Sequence, residues 1–145
     1  MLPVKTFLNF CRQNKLAEPG QRILATVSGG KDSVLMTHLL KAAGFAFGIA
    51  HVNFQLRGDE SERDENFVQA LAAELDVPFF TTRFNTKKFA SENKVSTQMA
   101  ARELRYTWFE DIRRQENYDL IATAHHLNDQ LETILLNLVR GTGLA

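Results

Sequence analysis

Four short apolar runs alternate with longer segments of helical spacing, and few folds accommodate that alternation. The runs cover residues 22–28, 45–54, 77–85 and 118–126, which are ordinary strand lengths. The helical segments are 4–16, 32–44, 59–76, 96–117 and 127–141, and Ser96 is a suitable N-cap for the fourth. Alternating strands and helices form parallel sheets with right-handed crossovers. We therefore expect an α/β fold: a doubly wound, mostly parallel, Rossmann-like sheet with helices on both faces.

Composition and charge narrow the class of protein. The 145 residues have a formal net charge of zero, so bulk charge does not indicate a nucleic-acid partner. No apolar run reaches the length of a membrane span, and the N-terminus lacks the apolar core of a signal peptide. A single cysteine, Cys11, excludes an internal disulfide and a CxxC site. These features predict a cytoplasmic protein without a membrane partner.

The stretch SGGKDS, residues 28–33, joins the first predicted strand to the following helix. Glycines let backbone N–H groups approach an anion, and the helix start adds further donors. Lys31 adds a cation and Ser33 a hydroxyl, so the stretch predicts a phosphate-binding loop beyond a strand's carboxyl end. It is not a Walker A loop, because Ala25 stands where that motif has glycine and Asp32 follows the lysine.

Asp32 predicts a cation in this loop. A carboxylate would repel a phosphate unless a hard ion such as Mg²⁺ lay between them. The alternative is a tight turn in which Asp32 is only a helix N-cap. Asp129 and Glu132 share a helical face after the fourth predicted strand, so Asp129 is the second candidate metal ligand.

Polar residues also follow the second predicted strand. His51, Asn53 and Arg57 should lie beside the phosphate loop in a doubly wound sheet. Asn53 could contact a base edge or a ribose, and Arg57 could bind a phosphate. The alternative is a polar loop with a solvated arginine.

Arg102 and Arg105 lie one turn apart on the fourth predicted helix, so they share a face. That face could bind substrate phosphates, or it could pair with Glu103 and other surface acids. One of His125 and His126 is expected to face a nucleotide at the end of the fourth strand. The remaining large apolar residues of interest are assigned to the core: Met36, Met99, Trp108 and Phe109.

SGGKDS resembles the pyrophosphate-binding loop of the PP-loop ATP pyrophosphatases, which cleave ATP between its α and β phosphates. Three further stretches resemble the tRNA(Ile)-lysidine synthetases of that superfamily: HVNFQLRGDESERDE (51–65), AARELRY (100–106) and ATAHHLNDQLETILLNLVRGTGL (122–144). Two positions depart from the usual pattern. Phe54 stands where a histidine is usual, and Asn128 stands where the first of two aspartates is usual.

The resemblance implies a ligase that forms a C–N bond and converts ATP to AMP and pyrophosphate. Its substrates would be free L-lysine and a minor isoleucine tRNA with a CAU anticodon, and Mg²⁺ would accompany ATP. The residues expected to bind nucleotide are Ala25, Val27, Ser28, Gly29, Gly30, Lys31, Asp32, Ser33, Asn53 and Arg57. The residues expected to be catalytic are Asp32, Arg102, Arg105, His125 and Asp129. Asp129 or His125 is the candidate base for lysine, and a homodimer is allowed but not indicated.

Three other interpretations stay open. A tRNA 2-thiolation enzyme of the same superfamily commonly needs cysteine pairs, which Cys11 alone does not supply. A nucleotide-binding module without chemistry is the second, and a folded but inactive chain is the third. Because the sequence stops at GTGLA without a closing element, we expect residues 1–145 to be an N-terminal PP-loop domain that lacks C-terminal tRNA-binding domains.

Overall fold

The computed structural model describes Lys5, Asn9 and residues 20–126 and 134–140, with the backbone alone from residue 125 onward. The predicted first helix, 4–16, lies outside the described residues except for Lys5 and Asn9, which are helical. No helix in this part of the chain combines the length and apolarity needed to cross a membrane.

A five-stranded sheet forms the centre of the fold. Its strands in chain order are β1 (Arg22–Thr26), β2 (Ala46–Asn53), β3 (Phe79–Arg83), β4 (Leu120–His126) and β5 (Ile134–Arg140). Their order across the sheet is β3-β2-β1-β4-β5. The first four strands are parallel, and β5 runs antiparallel to β4. The predicted mostly parallel sheet is confirmed.

Helices cover both faces of this sheet, as predicted. They are α1 (Lys31–Ala42), α2 (Asp59–Leu75), α3 (Thr86–Glu92) and α4 (Thr97–Gln115). Alternate residues of β1 point to opposite faces: Ile23 packs with residues of α1 and α2, and Leu24 packs with Phe109 of α4. Two apolar cores therefore sandwich the sheet.

The strand order places a crevice at the carboxyl ends of the central strands. From β1 the chain moves outward through β2 to β3, and then returns through α3 and α4 to β4 on the other side of β1. The two strands that follow β1 in the chain therefore lie on one side of it, whereas β4 and β5 lie on the other side. Open parallel sheets bind ligands at this kind of switch point.

The prediction of a closing helix at 127–141 is wrong for residues 134–140, which form β5. Its sequence, ILLNLVR, is a nearly continuous apolar run, and such a run fits a buried strand as well as a buried helix. Pairing with β4 satisfies the backbone groups along that side of β4. Helix α3 was not predicted; it begins after Asn85, whose side chain accepts a hydrogen bond from Lys88 N at 3.2 Å.

The predicted capping and core residues are confirmed with one exception. Ser96 caps α4, because its hydroxyl accepts a hydrogen bond from Met99 N at 3.1 Å. Met36 and Phe109 are buried. Trp108 is partly buried and packs against the core that contains Phe109. The assignment of Met99 to the core is wrong: it is 61% exposed in the first turn of α4.

Candidate functional site

The loop between β1 and α1 has the backbone of an anion-binding turn. Gly29 has a φ of +106°, a conformation that favours glycine. Gly30 is the N-cap of α1 and supplies no capping side chain. Ser28 Oγ accepts a hydrogen bond from Gly30 N at 3.3 Å, and Ser33 Oγ donates to Gly30 O at 2.9 Å. The loop is thus closed by its own serines, with the start of a helix behind it.

Two charged residues follow the glycines of this loop. Lys31 is exposed at the start of α1, and Asp32 is half-buried in its first turn. The interpretation of Asp32 as the N-cap is wrong, because Gly30 has that position. Two consecutive residues at the positive end of the α1 dipole therefore carry a cation and a carboxylate.

A cleft of about 280 Å³ opens between the carboxyl ends of β1 and β4, and we call it the switch-point cleft. Its residues come from the end of β1 and the loop, from the region of β2, from α4 and from β4: Thr26, Val27, Ser28, Ser33, Val52, Phe54, Arg105, Tyr106, Phe109, Thr123 and Ala124. Its lining combines apolar and aromatic side chains with hydroxyls and a guanidinium. Such a lining suits a planar or sugar-like group attached to an anion.

The two arginines of α4 differ in position. Arg105 is half-buried and lines the switch-point cleft, whereas Arg102 is exposed. Both guanidinium groups lie near the ring of Tyr106, at 5.0 Å for Arg105 and 5.4 Å for Arg102. Neither arginine has an ion pair with a carboxylate among the described residues, so the expected alternative of pairing with Glu103 is not found there.

A second cleft of about 320 Å³ lies on the other side of Ser28, and we call it the β2 cleft. Arg57 lines it and donates to Asp64 Oδ2 at 2.6 Å. Asp64 also faces the loop, because its Oδ1 would lie 3.5 Å from a Cβ placed on Gly29. A positive and a negative side chain are therefore paired beside the loop, and the Arg57 side chain remains 62% exposed.

A hydrogen-bond network lies at the base of the β2 cleft. Asn53 is 2% exposed; its Oδ1 accepts from Gln55 N at 2.9 Å and its Nδ2 donates to Glu65 Oε1 at 3.3 Å. Arg83 Nη2 donates to Glu65 Oε2 at 2.9 Å, and this hydrogen bond lowers the pKa of Glu65 below its usual value. The network fixes the end of β2 against α2, and both polar atoms of Asn53 already have protein partners.

This geometry agrees with the comparison to protein families. A family model described as a PP-loop domain matches residues 4–145. The chain belongs to the PP-loop domain family. The predicted resemblance is confirmed at that level, and we call residues 28–33 the PP-loop.

Curated relatives lie within the same family. A tRNA(Ile)-lysidine synthase of Bacteroides thetaiotaomicron is 44% identical over 137 residues, which are 94% of this chain and 32% of that protein. One from Porphyromonas gingivalis is 45% identical over 92% of this chain and 30% of that protein. One from Chlorobaculum tepidum is 42% identical over 97% of this chain and 44% of that protein. The chain thus spans less than half of the length of these relatives.

A solved structure shares the fold. An NH3-dependent NAD synthetase from Campylobacter jejuni superposes with a TM-score of 0.61 over 81% of this chain and 53% of that chain, at 20% identity. The doubly wound sheet that we predicted is therefore an architecture also found in that enzyme.

The predicted site residues whose side chains the structure describes fall into four groups. Val27, Ser28, Ser33 and Arg105 line the switch-point cleft, and Ser28, Asn53 and Arg57 line the β2 cleft. Gly29, Gly30, Lys31 and Asp32 belong to the loop and the first turn of α1. Ala25 and Arg102 lie elsewhere: Ala25 is fully buried in the core, and Arg102 is exposed on α4.

The remaining predicted residues cannot be placed in the site. The backbone of His125 belongs to β4 while its side chain lies outside the described residues, and Asn128 and Asp129 lie outside them altogether. The described part of the chain contains no group of three potential metal-ligating side chains. The pairing of Asp32 with Asp129 therefore stays a prediction.

The structure adds several residues that sequence reasoning did not assign to the site, including three with polar side chains. Tyr106 and Thr123 line the switch-point cleft, and Asp64 lies against Gly29. Tyr106 directly follows Arg105, and Thr123 lies at the carboxyl end of a predicted strand, so position alone could have identified both. Asp64 is one of several acids in the first half of α2, and nothing in the sequence separates it from its neighbours.

Proposed function

We propose that this chain is the ATP-dependent catalytic part of a tRNA(Ile)-lysidine synthase. The observation that carries the proposal is its 42–45% identity to curated enzymes of that name over 92–97% of the chain. The PP-loop beside the switch-point cleft supports it, because an anion-binding loop at a strand's carboxyl end suits a nucleotide.

The proposed reaction has two steps. The C2 oxygen of the wobble cytidine attacks the α-phosphorus of ATP, the bond to the β-phosphate oxygen breaks, and pyrophosphate leaves. The ε-amine of free lysine then attacks C2 of the adenylated cytidine, the C2–O bond breaks, and AMP leaves. The amine nitrogen loses a proton, and the product is lysidine.

The PP-loop would bind the pyrophosphate portion. Because Gly29 and Gly30 have no side chains, phosphate oxygens can approach the loop backbone closely, and Lys31 adds a positive charge. Arg105 would stabilise the charge that develops on the α-phosphate, because its guanidinium lines the adjoining cleft. Phe54 borders both clefts, which supports the proposal that it stacks on a base.

Asp32 suits a Mg²⁺ site, although it is one carboxylate. It is half-buried in the first turn behind the loop, and Mg²⁺ commonly takes one or two carboxylates together with phosphate oxygens. When bound, Mg²⁺ would offset negative charge on the phosphates. Asp129 as its second ligand, and His125 or Asp129 as the base for lysine, remain parts of the proposal.

The tRNA 2-thiolation alternative is not favoured, because the relatives reported above carry the lysidine synthase name and the chain has one cysteine. A cytoplasmic location follows from the proposed tRNA substrate. A homodimer stays a prediction, which sedimentation of the purified chain would test.

Release of pyrophosphate from ATP·Mg²⁺ tests the proposal directly. The assay compares no RNA, the minor isoleucine tRNA with cytidine at the wobble position, and the same tRNA with uridine there. We expect release only with cytidine. Equal release with cytidine and uridine would contradict adenylation of the wobble base, and release only with uridine would favour the thiolation enzyme.

A further inference from the structure

His51 holds the backbone at the point where the chain leaves the sheet to form the PP-loop. It is the third residue from the end of β2 and is 3% exposed. Its Nδ1 lies 2.8 Å from the carbonyl oxygen of Val27, the residue immediately before the loop. The imidazole also borders the β2 cleft beside Ser28. A buried polar side chain therefore connects the second strand to the entrance of the loop.

The hydrogen bond continues the sheet's ladder with a side chain. The parallel pairing of β1 with β2 runs from Arg22↔Ala46 to Thr26↔Ala50, and Val27 N still donates to Ala50 O at 2.9 Å. In a continuing parallel ladder, the Val27 carbonyl would next accept from a backbone N–H of β2. Here it accepts from the imidazole instead. The chain can turn away from β2 at Ser28 without leaving a buried carbonyl unpaired.

This contact identifies which ring nitrogen of His51 carries a proton. A carbonyl oxygen can only accept, so Nδ1 must carry a proton and donate it. The neutral ring therefore has its proton on Nδ1, and Nε2 is left as an acceptor. The hydrogen bond acts close to the loop glycines, because one residue separates Val27 from Gly29, whose φ is +106°.

We infer that His51 is a positioning residue for the PP-loop: its Nδ1–H holds the Val27 carbonyl so that the backbone N–H groups of the loop point toward the bound phosphates. The inference rests on the nucleotide-binding part of the proposed function and is independent of the RNA substrate. It predicts that the loop requires a hydrogen-bond donor at the position of Nδ1. Another side chain with a donor at that position should therefore replace histidine.

Two amide substitutions separate the ring nitrogens. The side-chain nitrogen of asparagine is as many bonds from Cα as Nδ1, whereas that of glutamine is as many as Nε2. In His51→Asn the donor to Val27 is retained, and in His51→Gln it is displaced. We expect His51→Asn to bind ATP·Mg²⁺ within about twofold of wild type, and His51→Gln to bind about tenfold or more weakly, as for loss of a buried hydrogen bond. His38→Gln, on α1, is the matched control and should bind as wild type does.

The readouts are the dissociation constant of ATP·Mg²⁺ by calorimetry, the unfolding temperature of each variant, and the ring tautomer of His51 by long-range ¹H–¹⁵N NMR of the wild type. Equal loss in the Asn and Gln variants, or no loss in either, overturns the inference. An Nε2–H tautomer of His51 in the wild type would also overturn the inference. This measurement does not depend on whether a variant folds. Absence of ATP binding by the wild type refutes the proposed function instead.

Discussion

Substitution of Gly29 by alanine should strain the PP-loop without creating a clash. The φ of +106° is one that L-residues rarely adopt, and such a conformation costs about 1–3 kcal/mol. The added Cβ would meet Asp64 at 3.5–3.6 Å, which is ordinary contact distance. The cost is therefore conformational, and it is smaller than the stability of about 5–15 kcal/mol that is typical of a domain.

The strain must appear in one of two measurements. If the loop of Gly29→Ala keeps its shape, the free energy of unfolding falls by about 1–3 kcal/mol. If the loop relaxes to a negative φ, its N–H groups turn away and ATP binds about tenfold more weakly or worse, because hydrogen bonds to charged groups contribute about 1.5–3 kcal/mol. Chemical denaturation and calorimetric titration with ATP·Mg²⁺ measure the two effects on the same samples.

Two other glycines provide matched controls. Gly20 has a φ of +91° and nothing within 4 Å of its added Cβ, so Gly20→Ala measures the strain alone, away from the loop. Gly30 has a φ of −73° and would meet only Ser28 Oγ at 3.5 Å, so Gly30→Ala adds a methyl group to the loop without strain. The reasoning is refuted if Gly29→Ala has the same free energy of unfolding and the same affinity for ATP·Mg²⁺ as the wild type.

Three further changes test other parts of the structure. Arg105→Ala should lower the adenylation rate about 10²–10³-fold, whereas Arg102→Ala, exposed near the same aromatic ring, should change it little; equal effects in single-turnover assays would contradict this assignment. Gly48→Ala should destabilise the fold by about 1–3 kcal/mol because its Cβ would collide with the Tyr118 hydroxyl, and thermal unfolding should show partial rescue on adding Tyr118→Phe. The pKa of Glu65 is lowered in the folded chain, so its stabilising effect is complete above its usual value of 4.5 and is lost as the pH falls below that value. Glu65→Gln should therefore reduce stability at pH 7 and flatten the acid limb of a stability–pH curve; an unchanged limb would refute the assignment.

The alternation of strands and helices predicted the parallel sheet because each segment had a clear period. Residues 59–76, for example, were predicted as a helix and form α2 (Asp59–Leu75). The prediction failed for ILLNLVR, where apolar residues fill nearly every position and neither period dominates. Whether such a run becomes a helix or a strand depends on its neighbours in space, and here it pairs with β4.

The candidate site was predictable where function depends on local backbone chemistry. The PP-loop needs consecutive small residues between a strand and a helix, and that requirement is visible in SGGKDS. Asn53 was expected to contact a ligand, and its buried amide instead bonds to Gln55 and Glu65. Those partners come from a turn and from the next helix, so tertiary packing, which no local pattern encodes, decides what the amide contacts.

The zero net charge conceals an uneven distribution of charge around the PP-loop. On the side of the β2 cleft, Arg57 is neutralised by Asp64, and Arg83 is neutralised by Glu62 and Glu65. On the other side, Arg102 and Arg105 have no carboxylate partner among the residues that the structure describes, and both lie over Tyr106. These two guanidinium groups therefore lie at the α4 side of the switch-point cleft, one in its lining and one beside the ring of Tyr106. An RNA substrate would be attracted there even by a chain of zero net charge, and increasing salt should weaken its binding more than it weakens the folded state.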